Sequence, residues 1–409
     1  MEKEFLKQLF QQEFTKMVAV ISKLYGLQHI ETAEDIVSET FLQATETWET
    51  KGVPENPPAW LYAVAKQKTL TFFRRNKIFN EKVLPEIIGN DAVSDDEMLN
   101  FSNQNIKDSQ LQMLFAVCNP AIASEAQIGL ALRILCGFGI EEIAEAFLSN
   151  KETINKRLFR AKEKLRTEKI KMELPPEEEI SKRLDNVLHI IYLLFSEGYY
   201  SKTQSEILRQ DFCLEAMRLC LMLIDYPQTN LPSTNALMAL MCFHASRFHA
   251  RQTSENSQVL YEDQHESLWD HALINQGTHF LALSAHGNAL SAYHLEARIA
   301  FWHCQKDDSA EKWEEILQLY NQLLLVNYSP SVALNRTFAL YKANGKKAAL
   351  AEAEKLRLEN NHFYFILLGE LYKDLDNEKA RMNLEKAFSL AKTQTERLGI
   401  REKIDALSV

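Results

Sequence analysis

The stretch GIEEIAEAFLSNKETINKRLFRAKEKLR, residues 139–166, has the pattern of two helices separated by a short turn. Apolar residues at helical spacing predict the first helix, namely Ile140, Ile143, Ala144 and Phe147. The turn at 148–151 interrupts this pattern, and Ser149 with Glu152 fits the S-x-x-E capping box that starts a helix. Together these features predict a helical hairpin.

The second helix of this hairpin is amphipathic and basic. Its apolar stripe consists of Ile154, Leu158, Ala161 and Leu165, and another face carries Thr153, Arg157, Arg160 and Lys164. Residues 151–171 contain nine Lys or Arg and three Glu. A compact apolar helix, a tight turn and a basic helix are what a helix-turn-helix needs to enter a DNA major groove. A hairpin with a solvated basic face has the same pattern, so the stretch alone favours neither interpretation.

The composition indicates a helical protein of two or three domains. In 409 residues there are only 12 Gly and 10 Pro, which argues against a fold rich in strands and turns. The charged N-terminus lacks a signal-peptide core, and no apolar run is long enough for a membrane span. Six Cys occur without a CxxC pair, as expected for reduced thiols. We therefore expect an all-α, cytoplasmic protein with no membrane segment.

Positive charge is concentrated in one part of an acidic chain. The net charge is −10, and residues 77–106 form an acidic linker with two Lys and six Asp or Glu. Residues 107–172 hold eleven basic and eight acidic residues, whereas the remainder of the chain is acidic. This distribution predicts that any DNA contact is local.

An acidic stripe marks a predicted helix in residues 5–76. Thr32 and Asp35 fit a second capping box, and the outer face of the helix carries Asp35, Glu39 and Glu46. Such a stripe suits a basic protein partner. A solvated face is the simpler interpretation of the pattern alone.

A helix with mixed aromatic and basic side chains follows. Asn56 is placed to cap it, and Pro57 and Pro58 occupy the first helical positions that proline prefers. The side chains that could hold a nucleic-acid backbone and stack on unpaired bases are Trp60, Lys66, Lys68, Arg74 and Arg75. Core aromatics beside surface lysines would give the same mixture.

The order of these stretches resembles the sigma-70 family, extracytoplasmic-function group, of bacterial RNA polymerase sigma factors. The matching segments are AEDIVSETF (33–41), NPPAWLYAVAKQKTLTFFRR (56–75), the acidic linker, and DSQLQMLFAVCNPAIASEAQIGLALRILCGFGIEEIAEAFL (108–148) with RLFRAKEKLR (157–166). Four later segments are similar to the subgroup with a long C-terminal extension: LLFSEGYY (193–200), CLEAMRLCLML (213–223), ALMALMCFHASRFHAR (236–251) and EDQHESLWDHALINQG (262–277).

The resemblance implies a domain order and a set of contacts. Residues 1–76 would be the region-2 domain, 77–106 the linker, 107–172 the region-4 helix-turn-helix domain, 180–285 a helical extension and 286–409 helical repeats. The partners would be core RNA polymerase, through its β′ clamp and β flap, and promoter DNA. Asp35 and Glu39 would contact the clamp, and Trp60, Lys66, Lys68, Arg74 and Arg75 would engage the minus-10 element. The minus-35 duplex would meet Lys151, Thr153, Asn155, Lys156, Arg157 and Arg160.

A short internal repeat indicates helix pairs near the C-terminus. The pattern at 339–348 recurs at 370–380, an offset of 31 to 32 residues that is close to the tetratricopeptide unit. Stacked helix pairs form concave interaction surfaces, so a protein or ligand partner is expected there.

Catalytic and metal-binding motifs are missing from the sequence. No P-loop, dinucleotide fingerprint or nucleophile elbow occurs, and His265 and His271 are spaced unsuitably for a shared metal. We therefore expect a non-enzymatic protein without cofactor or metal. Two alternatives remain open: a helix-turn-helix regulator with a repeat-type sensor that is no polymerase subunit, and a helical-repeat scaffold that does not bind DNA.

Overall fold

The computed structural model describes residues 2–75, 99–147, 149–200, 206–251, 264–287, 289–391 and 394–407. Over these ranges the protein is all-helical, as predicted. The chain forms two compact units, Met1–Asn230 and Leu231–Val409. None of the helices in the described ranges is long and apolar enough to cross a membrane.

The first unit begins with three helices that share a core with the helices after the linker. In chain order its helices are α1 (Glu2–Tyr25), α2 (Ile30–Lys51), α3 (Pro57–Arg75), α4 (Asn103–Val117), α5 (Ser124–Leu130), α6 (Ile140–Ala146), α7 (Lys151–Thr167), α8 (Glu177–Tyr200) and α9 (Glu206–Ile224). Helix α1 packs against α2 and α3 and also against α4. It is buried on all sides, because the consecutive residues Val18, Ala19, Val20 and Ile21 are all enclosed.

Helix starts follow local capping chemistry, and one of the three predicted caps is confirmed. The side chain of Asn56 accepts a hydrogen bond from the Ala59 amide at 3.1 Å. The predicted cap at Thr32 is wrong, because the chain enters α2 at Ile30 directly from a 3₁₀ turn and needs no break there. The predicted Ser149 capping box is also wrong. Asn150 caps α7 by accepting from the Thr153 amide at 2.8 Å, and asparagine serves this position as well as serine does.

Most of the predicted acidic linker, residues 77–98, lies outside the described residues. Its end is ordered: Leu99 is buried, and the Phe101 ring stacks on Tyr62 with centroids 5.0 Å apart. Helix α4 starts before residue 106 because the Ser102 side chain accepts from the Asn105 amide and caps it.

The first two helices of the extension belong to the first unit. Helix α8 packs on α4 and α5, and α9 packs on α8 and α4. Asn186 on α8 donates to the Cys118 carbonyl at 2.5 Å and to the Gln127 side chain at 3.0 Å. Arg218 on α9 donates to the Leu135 carbonyl at 2.7 Å. These side chains therefore satisfy backbone carbonyls on either side of α5, at the end of α4 and at the end of the π-helical segment Ala131–Leu135.

The second unit starts with an apolar helix and continues as antiparallel pairs. Its helices are α10 (Pro232–Ala245), α11 (His271–Ser284), α12 (Ala292–His303), α13 (Ala310–Val326), α14 (Pro330–Asn344), α15 (Lys346–Leu356), α16 (His362–Tyr372), α17 (Asn377–Leu390) and α18 (Gln394–Asp405). Helix α10 is enclosed by its neighbours, and α11 approaches it so closely that a Cβ at Gly277 would lie 2.7 Å from the Phe243 ring.

The helix pairs α14–α15 and α16–α17 have the spacing of the internal repeat. They start at Pro330 and His362, and their second helices start at Lys346 and Asn377. Helices α16 and α17 approach closely at Gly369, where a Cβ would lie 2.7 Å from the Leu384 side chain. Corresponding helices of the two pairs therefore start 31 to 32 residues apart, as in a repeat of helix pairs.

Candidate nucleic-acid interface

Helix α7 presents an exposed polar and basic surface above an apolar stripe. Its four predicted core residues, Ile154, Leu158, Ala161 and Leu165, are buried. Five of the six predicted duplex-contacting residues are exposed: Lys151, Thr153, Asn155, Lys156 and Arg160. The helix follows a four-residue turn from α6. An exposed N-terminal half is what major-groove entry requires.

Arg157 differs from the other five residues because it is tied to the protein. Its guanidinium lies 3.2 Å from the Glu125 carboxylate and 5.3 Å from the centre of the Phe147 ring. The Arg157 side chain is only 28% exposed. This residue therefore joins α5 and the α6–α7 turn to α7, and is less available to a ligand than Arg160.

The ion pairs at the start of α7 are solvent-exposed, so their carboxylates can be replaced by another anion. Lys151 pairs with Glu141, and Lys156 pairs with Glu152 at 2.6 Å, with all four side chains more than 60% exposed. Exposed pairs contribute about 0–1 kcal/mol. A phosphate can therefore replace either carboxylate at little cost.

A groove of about 520 Å³ runs along the basic side of α7. Four cations line it together with apolar residues such as Ala121, Ile122 and Ala126: Lys156, Arg157, Arg160 and Lys164. Three of these cations have carboxylate partners, Glu152 for Lys156, Glu125 for Arg157 and Glu168 for Lys164. The pairs of Lys156 and Lys164 are exposed and weak, so these cations and Arg160 can attract a phosphate.

Helix α3 carries the second predicted set of nucleic-acid residues on more than one face, because Lys66 and Lys68 are two positions apart. Trp60 is half-buried and packs edge-to-face on Trp48, with ring centroids 5.4 Å apart. Lys66 and Lys68 are half-buried on the same helix. Arg74 and Arg75 end α3, and their side chains lie outside the described part of the chain.

The acidic stripe of α2 is exposed and lies beside α3. Asp35 and Glu39 are both exposed, and Glu39 pairs with Lys68 at 3.3 Å. Partial burial and the neighbouring carboxylates, Glu34 first among them, raise the pKa of Asp35, although Lys162 opposes the shift. Leu42, one turn further, is 60% exposed. The stripe is thus an acidic surface with an apolar centre, joined to α3 through the pair of Glu39 and Lys68.

The sequence analysis missed a buried ion-pair cluster, which we name the Glu34 cluster and which consists of Glu34, Arg133 and Lys162. Glu34 accepts from the Arg133 Nε at 3.0 Å and from the Lys162 ammonium. Periodicity could have identified it, because Glu34 falls on the apolar stripe of Ile30, Val37 and Phe41 rather than with Asp35.

Metal binding finds no support in the part of the chain that the structure describes. No group of three or more His, Cys, Asp or Glu side chains is placed there to hold a metal ion.

Two parts of the chain match known protein families. Sigma-70 region 2 matches residues 9–78, which include α2 and α3, and a family of unknown function (DUF6596) matches residues 183–285. An uncharacterised protein of Rhizobium meliloti (strain 1021) is 32% identical over 389 residues, which cover 93% of this chain and 91% of that protein. No solved structure matches significantly.

Proposed function

We propose that the chain, which belongs to the sigma-70 family of RNA polymerase sigma factors in the form with a C-terminal extension, is of the extracytoplasmic-function type. A sigma-70 region 2 implies a role in transcription initiation, with core RNA polymerase and promoter DNA as partners. The observation that carries the proposal is that the matched region presents an exposed acidic stripe on α2 beside α3, the helix that holds Trp60, Lys66 and Lys68. Because core polymerase is the partner, the site of action is the cytoplasm.

In this proposal region 2 has two tasks. Asp35 and Glu39 dock on the β′ clamp, and the exposed Leu42 between them and the rest of the stripe adds apolar contact. Trp60, Lys66, Lys68, Arg74 and Arg75 engage the minus-10 element. Opening that element means holding an unstacked base, which costs a few kcal/mol and is offset by stacking and phosphate contacts.

Helices α4 to α7, which we call the α4–α7 bundle, act as region 4. Lys151, Thr153, Asn155 and Lys156 lie in the first half of α7 and contact base edges in the minus-35 duplex, while Arg160 meets phosphates. Arg157 keeps a supporting role in this interface, since its pairing with Glu125 and its stacking on Phe147 fix the α6–α7 turn. The β flap is the polymerase surface expected for the same bundle.

The extension acts in cis as a brace for the α4–α7 bundle. The hydrogen bonds from Asn186 and Arg218 to backbone carbonyls support this, as does the contact of Phe138 with Phe212 at 4.7 Å between ring centroids. A brace of this kind makes α8 and α9 necessary for activity. The helix pairs of the second unit are left to bind a protein or ligand partner.

Co-elution with core RNA polymerase tests the proposal. The double variant Asp35→Lys/Glu39→Lys should lose binding without unfolding, because both side chains are exposed. Glu311→Lys/Glu315→Lys is the matched control, with the same charge change and the same four-residue spacing at exposed positions of α13. If the Asp35/Glu39 variant still co-elutes stoichiometrically, the clamp assignment is wrong.

A further inference from the structure

Helix α7 carries a Glu–Lys ion pair on the side opposite its buried stripe. Glu152 and Lys156 lie two positions before and two positions after the buried Ile154. With 3.6 residues per turn, each of these offsets turns the side chain about 160° away from Ile154. The side chain of Glu152 is 77% exposed and that of Lys156 is 66% exposed. The pair therefore lies on the outermost side of the helix, in the half that would enter the major groove.

The hydrogen bond within this pair leaves both groups able to bind a ligand. Lys156 Nζ donates to Glu152 Oε1 at 2.6 Å. An ammonium has three N–H donors and a carboxylate has two acceptor oxygens, so the pair can offer donors and an acceptor at the same time. Asn150 caps the helix by accepting from the Thr153 amide, so the start of α7 does not depend on the pair.

A G·C base pair presents the complementary groups in the major groove. Guanine offers O6 and N7 as acceptors, and cytosine offers its N4 amino group as a donor. O6 and N4 are hydrogen-bonded to each other in the base pair, so they lie about 3 Å apart. This is close to the separation of the Lys156 and Glu152 atoms. An ammonium placed at O6 and N7 therefore brings the carboxylate to N4.

An A·T base pair fits the ion pair less well. In the same docking, the N6 amino donor of adenine would face the ammonium, and the O4 acceptor of thymine would face the carboxylate. In the reversed docking both groups are matched, but the ammonium meets one acceptor, thymine O4, instead of two. The donor and acceptor pattern therefore favours G·C.

The ion pair also explains how a carboxylate can lie beside DNA. Phosphates repel an isolated carboxylate, whereas Glu152 paired with Lys156 adds no net charge to the interface. An acidic residue in the first turn of a helix is also stabilised by the helix dipole. That effect concerns the helix alone and predicts no base preference, which makes the two explanations separable.

We infer that Glu152 and Lys156 together recognise one G·C base pair of the minus-35 element, with Glu152 accepting from cytosine N4 and Lys156 donating to guanine O6 and N7. The inference rests on the proposed function, because it concerns what α7 recognises in the duplex. It makes Glu152 a specificity-determining residue, which its predicted place in a capping box did not suggest.

Promoter-specific transcription by core RNA polymerase with the full chain tests this assignment. At a promoter located from mapped RNA 5′ ends, each base pair of the minus-35 element is replaced in turn by the other three. The wild-type protein should require G·C at one position. Glu152→Ala and Lys156→Ala should each reduce the preference for G·C over A·T at that position at least about fivefold, because each removes one side of the base-pair contact.

The pair of Lys164 and Glu168 provides the matched control. It has the same residue types, the same four-residue spacing and the same 2.6 Å separation, but it lies at the C-terminal end of α7. Glu168→Ala should leave every base preference unchanged. Circular dichroism confirms that each variant is folded. Glu152→Gln, which keeps the shape of the side chain but accepts more weakly, should reduce the same preference and decides if Glu152→Ala fails to fold.

The base-pair assignment and the proposed function fail separately. Absence of any start site that depends on the protein contradicts the sigma-factor proposal. Protein-dependent starts with the same base preferences in wild type and Glu152→Ala contradict the assignment alone, as does a loss of activity that is equal for all sequences. A preference for A·T at the position that both variants affect also contradicts it.

Discussion

Lys156 and Arg160 on α7 are both exposed cations, but they lie one turn apart and serve different contacts in the proposed complex. Lys156 is close enough to the helix N-terminus to meet a base edge, so Lys156→Ala should cost about 1–3 kcal/mol and change sequence preference. Arg160→Ala should weaken all sequences alike and lower the dependence of affinity on salt. Binding titrations on matched and scrambled duplexes at several salt concentrations measure both effects. Equal, sequence-independent losses at the two positions would show that α7 binds only phosphates.

At the residue level, helical periodicity predicted which side of α7 is buried but not how its cations are partnered. The stripe from Ile154 to Leu165 follows from spacing alone, since 3.6 residues per turn fix it. The partner of Arg157 does not, because Glu125 lies on another helix and no local pattern connects the two. The roles of Lys156 and Arg160 in DNA binding remain predictions.

Helix α12 ends at a histidine whose burial makes the second unit sensitive to acid. Burial, with Arg247 and Lys312 nearby, lowers the pKa of His303 to about 3, and burial also lowers the pKa of His244. An unfolded histidine titrates near 6.5, so below that pH the unfolded chain binds more protons than the folded one. The buried histidines should therefore lower the free energy of unfolding as the pH falls from about 6.5, by about 2 kcal/mol for His303 between pH 7 and pH 5. Glu296 opposes this over the same range, because burial raises its pKa to about 7, so the histidine contribution is measured as a difference between variants.

Urea unfolding followed by tryptophan fluorescence checks this slope, because three of the five Trp (269, 302 and 313) lie in the second unit. In the His303→Asn variant, the change in the free energy of unfolding between pH 7 and pH 5 should differ from wild type by about the contribution of one buried histidine. His279→Asn, at an exposed position of α11, is the control and should keep the wild-type slope. An unchanged slope in His303→Asn would mean that this imidazole does not stay neutral in the fold.

The brace formed by α8 and α9 was only partly predictable from sequence at the level of elements. The apolar residues of 187–195 indicate from sequence alone that α8 packs against a partner surface, and α4 and α5 provide one. The hydrogen bonds of Asn186 and Arg218 were not predictable, because each meets a backbone carbonyl more than fifty residues away. Such pairings depend on the tertiary arrangement alone.

For the whole molecule, two truncations test the brace: one at the boundary between the two units and one before the extension. A chain ending at Asn230 keeps α8 and α9 and should retain promoter-specific transcription. A chain ending at Thr167 loses the brace, exposes the buried faces of α4 and α5, and should be inactive. In vitro transcription with equal amounts of each chain compares them, and full-length protein is the reference. Activity of the Thr167 chain equal to or above full length would contradict bracing and favour autoinhibition by the extension.

Sequence patterns predict the helical class of the whole molecule but not which helices belong to which unit. The all-helical class follows from low Gly and Pro content and from periodicity, and it is confirmed. That α8 and α9 join the first unit depends on contacts distant in sequence, as does the burial of Glu34 among cations from two other segments. The 31- to 32-residue repeat did indicate the spacing of α14 to α17.

The most direct test of the central claim is transcription by core RNA polymerase with and without the full chain on fragmented genomic DNA, with the RNA 5′ ends mapped. The account predicts that the protein concentrates new starts at a small set of sites sharing two conserved elements, and that Asp35→Lys/Glu39→Lys abolishes them. A start pattern unchanged by addition of the protein would contradict its assignment as a sigma factor.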